Sequence, residues 1–200
     1  MLFVYSKFKG SYWENYEPEK RLAILQAVEK KMARKTHREI VPVIVNNTFP
    51  DTLLGAFQTR GRTKAIFINP ILLTEHSLRF HALETIIHEG RHAYQCMVIK
   101  GKISPLNFKA KEWKRNYSGY FSANEDKTLY SYQSIERDAQ RFTIKMLKRL
   151  AFKYRNEEAF AQTLENNIAR YEQAELDARK EFGLFYKHKI NKRIKQKSGR

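Results

Sequence analysis

A single cysteine, Cys96, stands in a chain of 200 residues. That excludes an internal disulfide framework and any multi-cysteine zinc site, and it suits a reducing compartment. Five prolines and eight glycines exclude collagen-like or low-complexity character. No apolar run approaches the ~18–20 residues of a membrane span. The N-terminal Met1-Leu2-Phe3-Val4-Tyr5-Ser6-Lys7 lacks the basic-then-apolar order of a signal peptide. The expectation is therefore a soluble, cytoplasmic protein with no membrane partner. Acidic residues are the remaining shortage: 21 Asp and Glu face 38 Lys and Arg, giving +17. What is present in quantity is core material. Hydrophobic residues are 42 % and aromatics 13 %, too rich for a disordered chain and enough for one domain, with or without an appendage.

The positive charge is uneven. Arg179 to Arg200 holds nine Lys and Arg against Glu181, so +8, and the first 178 residues carry the other +9. The chain from Lys192 to Arg200 reads as a frayed, solvated tail, which divides the sequence into a folded domain over 1–186 and a basic tail over 187–200. A second basic stretch runs from Lys100 to Arg115, with six Lys and Arg against Glu112. Such segments attract phosphates by counterion release, so nucleic acid is a candidate partner through the C-terminal tail. The plainer alternative is that the charge only keeps the protein in solution.

Periodicity places the elements. Pro18 to Arg34 reads as a helix, with Pro18 in its first turn and Leu22, Leu25, Val28 and Met32 at helical spacing. Ile40 to Val45 reads as an edge strand, because Pro42 lacks the ladder donor. Ala56–Arg60 and Ala65–Ile68 are short strands around a Gly61-Arg62-Thr63 hairpin loop. A helix is expected from about Ser77 to Ile99, along the stripe of Phe80, Leu83, Ile86, Ile87, Gly90, Tyr94, Met97 and Val98. Residues 102–128 look irregular. Further helices fit 134–154 and 157–187. A helix, a small group of strands, then mostly helix is an α+β pattern.

His88-Glu89-Gly90-Arg91-His92 carries the chemistry. Residues four apart share a helix face, so two imidazoles there can ligate one metal ion. Glu89 is rotated about 100° from His88, which suits a carboxylate beside a metal-held water. Such water can reach a pKa near ~7, and Glu89 would accept its proton as general base. Zinc is the expected ion, with three protein ligands and one open position.

The third ligand must come from elsewhere. His37, His76, His81, His188 and a carboxylate are the candidates, and Glu136 is the best placed. It falls in the first turn of the helix from Ser134, and neighbours Ala139 on the apolar face of Ile135, Ala139, Phe142 and Met146. Its alternative role is to complement the helix dipole. Asp138 would accept the free N–H of a metal-bound imidazole, or else pair at the surface with Arg137 or Arg141. Tyr130 and Tyr132 could offer a phenol to a developing oxyanion, or only pack. Cys96 reads as a buried inert thiol.

With these residues in place, the sequence resembles the zincin metallopeptidases, specifically the minimal gluzincin-like group. The likeness rests on His88-Glu89-x-x-His92 and Glu136-x-Asp138-Ala139. The extended text from His88 to Gln95, with Tyr130-x-x-Gln133-x-x-Glu136-x-Asp138-Ala139-x-x-Phe142, looks like small zincins of phages, mobile elements and bacterial toxin cassettes. It covers about Gly10 to Leu150. No Gly-x-x-His follows His92, so the metzincin pattern is absent.

The resemblance implies a zincin-like α+β fold, a small mixed sheet with an active-site helix and further C-terminal helices. It implies zinc on His88, His92 and Glu136, with Glu89 as general base. Ala65–Asn69 would be the edge strand that receives an extended protein or peptide substrate. The expected activity is zinc-dependent peptide hydrolysis. The alternative is a nucleic-acid- or virion-associated protein of zincin fold with weak or no peptidase activity.

Overall fold

The residues that carry the most consistent apolar spacing form the middle of the molecule. The computed structural model describes residues 3–60, 63–104 and 109–199. Two short helices, α1 (Phe3–Ser6) and α2 (Gly10–Trp13), precede α3 (Pro18–Lys35). Then come β1 (Val43–Val45), β2 (Gly55–Arg60), β3 (Thr63–Ile68) and α4 (Ile71–Thr74). The rest is helical: α5 (Arg79–Ile99), α6 (Lys109–Ser118), α7 (Lys127–Tyr132), α8 (Ser134–Leu150), α9 (Glu158–Phe182) and α10 (Tyr186–Ser198). The protein is α+β, as the order of elements implies.

The small sheet is mixed. Its order is β1-β3-β2, with β1 parallel and β2 antiparallel to β3. β3 is therefore central, and the expectation that Ala65–Asn69 forms an edge is corrected. The parallel partner is what sequence pattern alone hides, because β1 reaches β3 across the 17 residues from 46 to 62. Ile66 and Ile68 of β3 are fully buried, and Ile66 N–H donates to the Pro42 carbonyl at 2.9 Å. β1 is shorter than the expected 40–45 because Pro42 stays outside it, and it keeps the expected edge position. The other edge, β2, lies against α5. Gly61 and Arg62 of the expected hairpin loop lie outside the described residues.

α5 is the central helix, packed between α3, α8 and the sheet. Leu83, Ile86 and Ile87 are fully buried against Leu25, Val28 and Leu147 in one core that also holds Phe8 and Trp13. Where α3 ends, a buried Glu29 binds the Arg38 guanidinium through both carboxylate oxygens at 2.5 Å. Glu29 also accepts the Val41 N–H at 3.1 Å. This pairing of two desolvated charges fixes the route of the chain from α3 into β1.

The C-terminal part departs from the expected layout. Part of 102–128 is helical as α6, because Trp113 and Asn116 provide a buried side for Lys109–Ser118. The final long helix stops at Phe182, where Gly183 takes φ 70°, a conformation that costs glycine little. Residues taken as a solvated tail form α10 instead. Tyr186, Ile190 and Ile194 lie four apart on one face and are buried with Leu129, Ala178 and Phe182 in a second, smaller cluster. Lys197 ties the end of α10 to the Tyr120 carbonyl and the Glu125 carboxylate, both at 2.6 Å. The boundary at 187 thus falls inside a packed helix.

Candidate metal centre

Helical geometry sets the centre. α5 presents His88 and His92 one turn apart, with their Nε2 atoms 3.1 Å from each other. α8 packs across α5 and delivers Glu136 from its first turn. One Glu136 oxygen lies 3.3 Å from His88 Nε2 and the other 3.4 Å from His92 Nε2. Four-coordinate zinc binds at ~2.0–2.2 Å, so tetrahedral ligand atoms stand about 3.3 Å apart. The imidazole nitrogens and the two carboxylate oxygens are thus at ligand-to-ligand separations, and could hold a divalent ion between the two helices.

Glu89 is the second carboxylate near the imidazoles, within 4.8 Å of them. Its placement separates it from Glu136. Its Oε2 accepts the Phe57 N–H of β2 at 2.7 Å, which ties it to the sheet edge. Glu136 meets both histidine nitrogens at near-contact distance and could serve as a third donor. Gly55 permits the arrangement. A Cβ at that position would come 2.4 Å from the Thr85 methyl and 3.1 Å from the Phe67 carbonyl, so a larger residue would push β2 off α5 and away from Glu89.

Around the donors lies a set of paired polar groups. His92 Nδ1 is 2.8 Å from Gln95 Oε1. Gln95 spends both its amide hydrogens on the Ile135 carbonyl, 2.9 Å, and Asp138 Oδ2, 3.0 Å. The amide oxygen facing the ring makes Nδ1 the donor and leaves the Nε2 lone pair for a metal. Asp138 therefore does not touch an imidazole. It acts one residue further out, holding Gln95 while it accepts from Arg91 Nε at 2.7 Å and Lys109 at 3.3 Å. Neither Arg137 nor Arg141 is its partner. Burial raises the Asp138 carboxyl, but Arg91 outweighs this and holds it below the usual carboxylate range. Arg91 itself is fixed among Tyr94, Phe142 and Trp113.

Electrostatics bind the donors to one another. Burial works to lower the His92 pKa, yet the charge of Glu136 dominates and the imidazole is pushed up to about 9. Burial alone would raise Glu136, and the histidines hold it well below the usual range instead. Before any metal arrives, the cluster thus favours a proton on His92 between two imidazoles and a carboxylate.

Tyr120 is the residue that sequence reasoning missed. Its hydroxyl donates to Glu136 Oε1 at 2.8 Å. A buried network holds it there. Asn116 accepts the Ile135 N–H at 2.9 Å and donates to Gln133 at 2.9 Å. Gln133 then binds the Phe121 N–H and carbonyl at 3.2 and 2.9 Å. The start of α8 and the strap carrying Tyr120 are thereby locked together. Of the two tyrosines singled out from sequence, Tyr130 lies at the centre, edge-on to Tyr120 with ring centroids 6.1 Å apart. Burial, then the charge of Glu136, raises the pKa of both phenols, so both keep their protons. Tyr132 points elsewhere and packs on Tyr186, centroids 5.3 Å apart. Residues two apart on α7 face opposite sides, so only one could reach the centre. His81 and His76 stay out of the cluster, His76 being 3.0 Å from the Arg21 guanidinium.

The centre lies between two hollows that share Gly55, Glu89, Tyr130 and Glu136 in their walls. One is about 280 Å³ and ends at Glu84, Gln140 and an Arg170 that pairs with Glu84. The other is about 910 Å³ and mostly apolar, with Leu53, Phe57, Tyr117 and Ile135 in its wall. The free thiol of Cys96 is buried and faces this larger hollow. In comparison with known proteins, the chain matches no family model, no curated protein and no solved structure.

Proposed function

We propose that the chain is a zinc-dependent peptidase of zincin-like fold, which hydrolyses a peptide bond held in the cleft between β2 and the start of α8. The observation that carries this reading is the convergence of Glu136 on His88 and His92 at 3.3 and 3.4 Å, the separations of ligands around one tetrahedral ion. His88, His92 and Glu136 would hold the metal. Bound zinc supplies a Lewis acid for the scissile carbonyl and lowers the pKa of water towards ~7.

The remaining work falls to the protein's own groups. Glu89 takes a proton from the attacking water and returns it to the leaving amine. Tyr130, protonated at neutral pH and beside Glu89 and Glu136, is the donor for the oxyanion. Tyr120 orients Glu136 through its hydroxyl. β2 is the edge nearest to the centre. Ala56 faces Phe67 across the antiparallel ladder while the Phe57 N–H turns outwards to Glu89, so an extended peptide can add to this edge by main-chain hydrogen bonds.

The test is Glu89→Gln. The variant is expected to retain a full equivalent of zinc by elemental analysis and to lose peptide cleavage in a proteome-wide screen against the parent. If the variant cleaves as well as the parent, or if the purified parent takes up no zinc, the reading is wrong.

A further inference from the structure

The charge surplus that the metal centre leaves unused is organised on the far side of α8. Arg141, Lys145, Lys148 and Arg149 all lie exposed on that helix, at spacings that keep them on one face through more than two turns. Among the described residues none of the four pairs with a carboxylate, and Arg141 is held by Tyr171, through its hydroxyl at 2.6 and 3.1 Å and over its ring. By contrast, Lys64 and Lys102 share Glu39, and Lys197 pairs with Glu125. Leaving like charges unpaired and close is unfavourable for the isolated protein, and a polyanion relieves it.

Arg141 lies where two depressions meet. One, of about 440 Å³, follows α8 past Lys145, Lys148 and Arg149. The other is a furrow of about 240 Å³ between α6, α8 and α10, where Lys187 joins Arg141 and where Lys109 and Arg137 are already paired with Asp138 and Glu175. Its two acids are Glu112 and Asp138, and Asp138 is already neutralised by Arg91 and Lys109. α10 carries six Lys and Arg with no acid. It is packed through Ile190 and Ile194; Arg193 and Lys197 pair with Asp126 and Glu125, and Lys187 faces the furrow.

We propose that this track, from the furrow beside α10 along the outer face of α8, binds the phosphate backbone of duplex DNA. Single strands are bound on stacking platforms. The aromatics of the furrow are already engaged, Trp113 buried and Tyr132 stacked on Tyr186. What the track offers is point charge for backbone phosphates. A cationic helix face suits the open major groove of B-DNA, and the deep, narrow groove of A-form RNA rejects it. This inference is independent of the peptidase reading, because Arg141, Lys145, Lys148 and Arg149 lie on the side of α8 away from Glu136, although the furrow shares Asp138 and Lys109 with the polar groups around the metal centre.

The test is fluorescence anisotropy of the full chain with a mixed-sequence 20-bp DNA duplex between 50 and 200 mM salt. The track variant is Arg141→Gln/Lys145→Gln/Lys148→Gln/Arg149→Gln. The control removes the same charge from exposed positions on α3, as Lys20→Gln/Lys30→Gln/Arg34→Gln/Lys35→Gln. The track variant is expected to bind at least ~10-fold more weakly at 100 mM salt, with a log–log salt slope flattened by about 3.6, since each of the four phosphate contacts contributes ~0.9. The control is expected to bind within about threefold of the parent. Should the quadruple variant fail to fold, Lys145→Glu/Lys148→Glu must show the same weakening. Equal loss in track variant and control, no duplex binding by the parent, tighter binding of an RNA duplex, or preference for phosphatidylserine vesicles would each overturn the proposal.

Discussion

The two faces of α8 treat charge in opposite ways. On the inner face, Glu136 and Asp138 are almost fully engaged, by two imidazoles, Tyr120, Arg91, Gln95 and Lys109. On the outer face, Arg141, Lys145, Lys148 and Arg149 have no counter-ion among the described residues. The difference teaches where single atoms matter. A buried charge with satisfied partners is costly to disturb, because any group left behind is desolvated and unpaired. Exposed cations act through their summed field, and each one contributes little. The inner face should therefore respond steeply to one substitution, and the outer face only to several.

The largest effect is expected from Glu136→Ala. It removes the only donor from α8 and leaves two histidines of one helix, so zinc retained after dialysis should fall from one equivalent to near none, with cleavage lost in step. Retained stoichiometry would break the contrast at its strongest point. The same centre should also be steeply pH-dependent. In the metal-free protein the His92 pKa is pushed up to about 9, above the ~6.5 of an unfolded histidine. Its stabilising contribution is fully present below ~6.5 and is lost as pH rises through about 9. Zinc must displace that proton, so apparent zinc affinity should rise about tenfold per pH unit below pH 9 and level off above it. Competition with a chromophoric chelator reads both limbs, and a flat profile from pH 7 to 9 would place the proton elsewhere.

Next in size is Gln95→Leu. Gln95 is fully buried and links His92 to Asp138, so its loss frees the imidazole to rotate and takes one donor each from Asp138 and the Ile135 carbonyl. Groups that orient a ligand in this way typically change metal affinity 10–100-fold, and calorimetric titration should return a value in that range. An unchanged affinity would reduce the polar set around the donors to packing. Tyr120→Phe should cost less. It deletes one hydrogen bond to a charged acceptor, a contribution of ~1.5–3 kcal/mol, so zinc affinity should drop by roughly tenfold or somewhat more. Tyr132→Phe is the matched control and should leave zinc affinity unchanged.

These residues also mark what the sequence discloses. His88, Glu89, His92 and Glu136 are legible because a 3.6-residue period places side chains on a face without reference to the rest of the chain. Tyr120 is not, since it sits in a strap whose position depends on Asn116 and Gln133 meeting across 17 residues. Asp138 was assigned to the right neighbourhood and the wrong contact. The choice between touching His92 and holding Gln95 is a matter of an ångström or two that spacing does not resolve. The central place of β3 depended on a parallel pairing with β1. α10 carried its own signal, apolar Tyr186, Ile190 and Ile194 at four-residue spacing, but its six unopposed cations made it read as a tail. Charge density describes what a segment repels and attracts, and says little about whether its other side is buried.

The smallest effect, and the sharpest test of the outer face, is the single substitution Lys148→Gln. If the track acts through its summed field, one cation of four should weaken duplex binding only about two- to threefold at 100 mM salt and flatten the log–log salt slope by about 0.9. Combining it with Lys145→Gln should give the sum of the two free-energy changes, because solvent and ions screen exposed lysines from one another over ~10 Å. A single substitution that abolished binding would mean that Lys148 fills a specific pocket, and the outer face would then obey the same rule as the inner one.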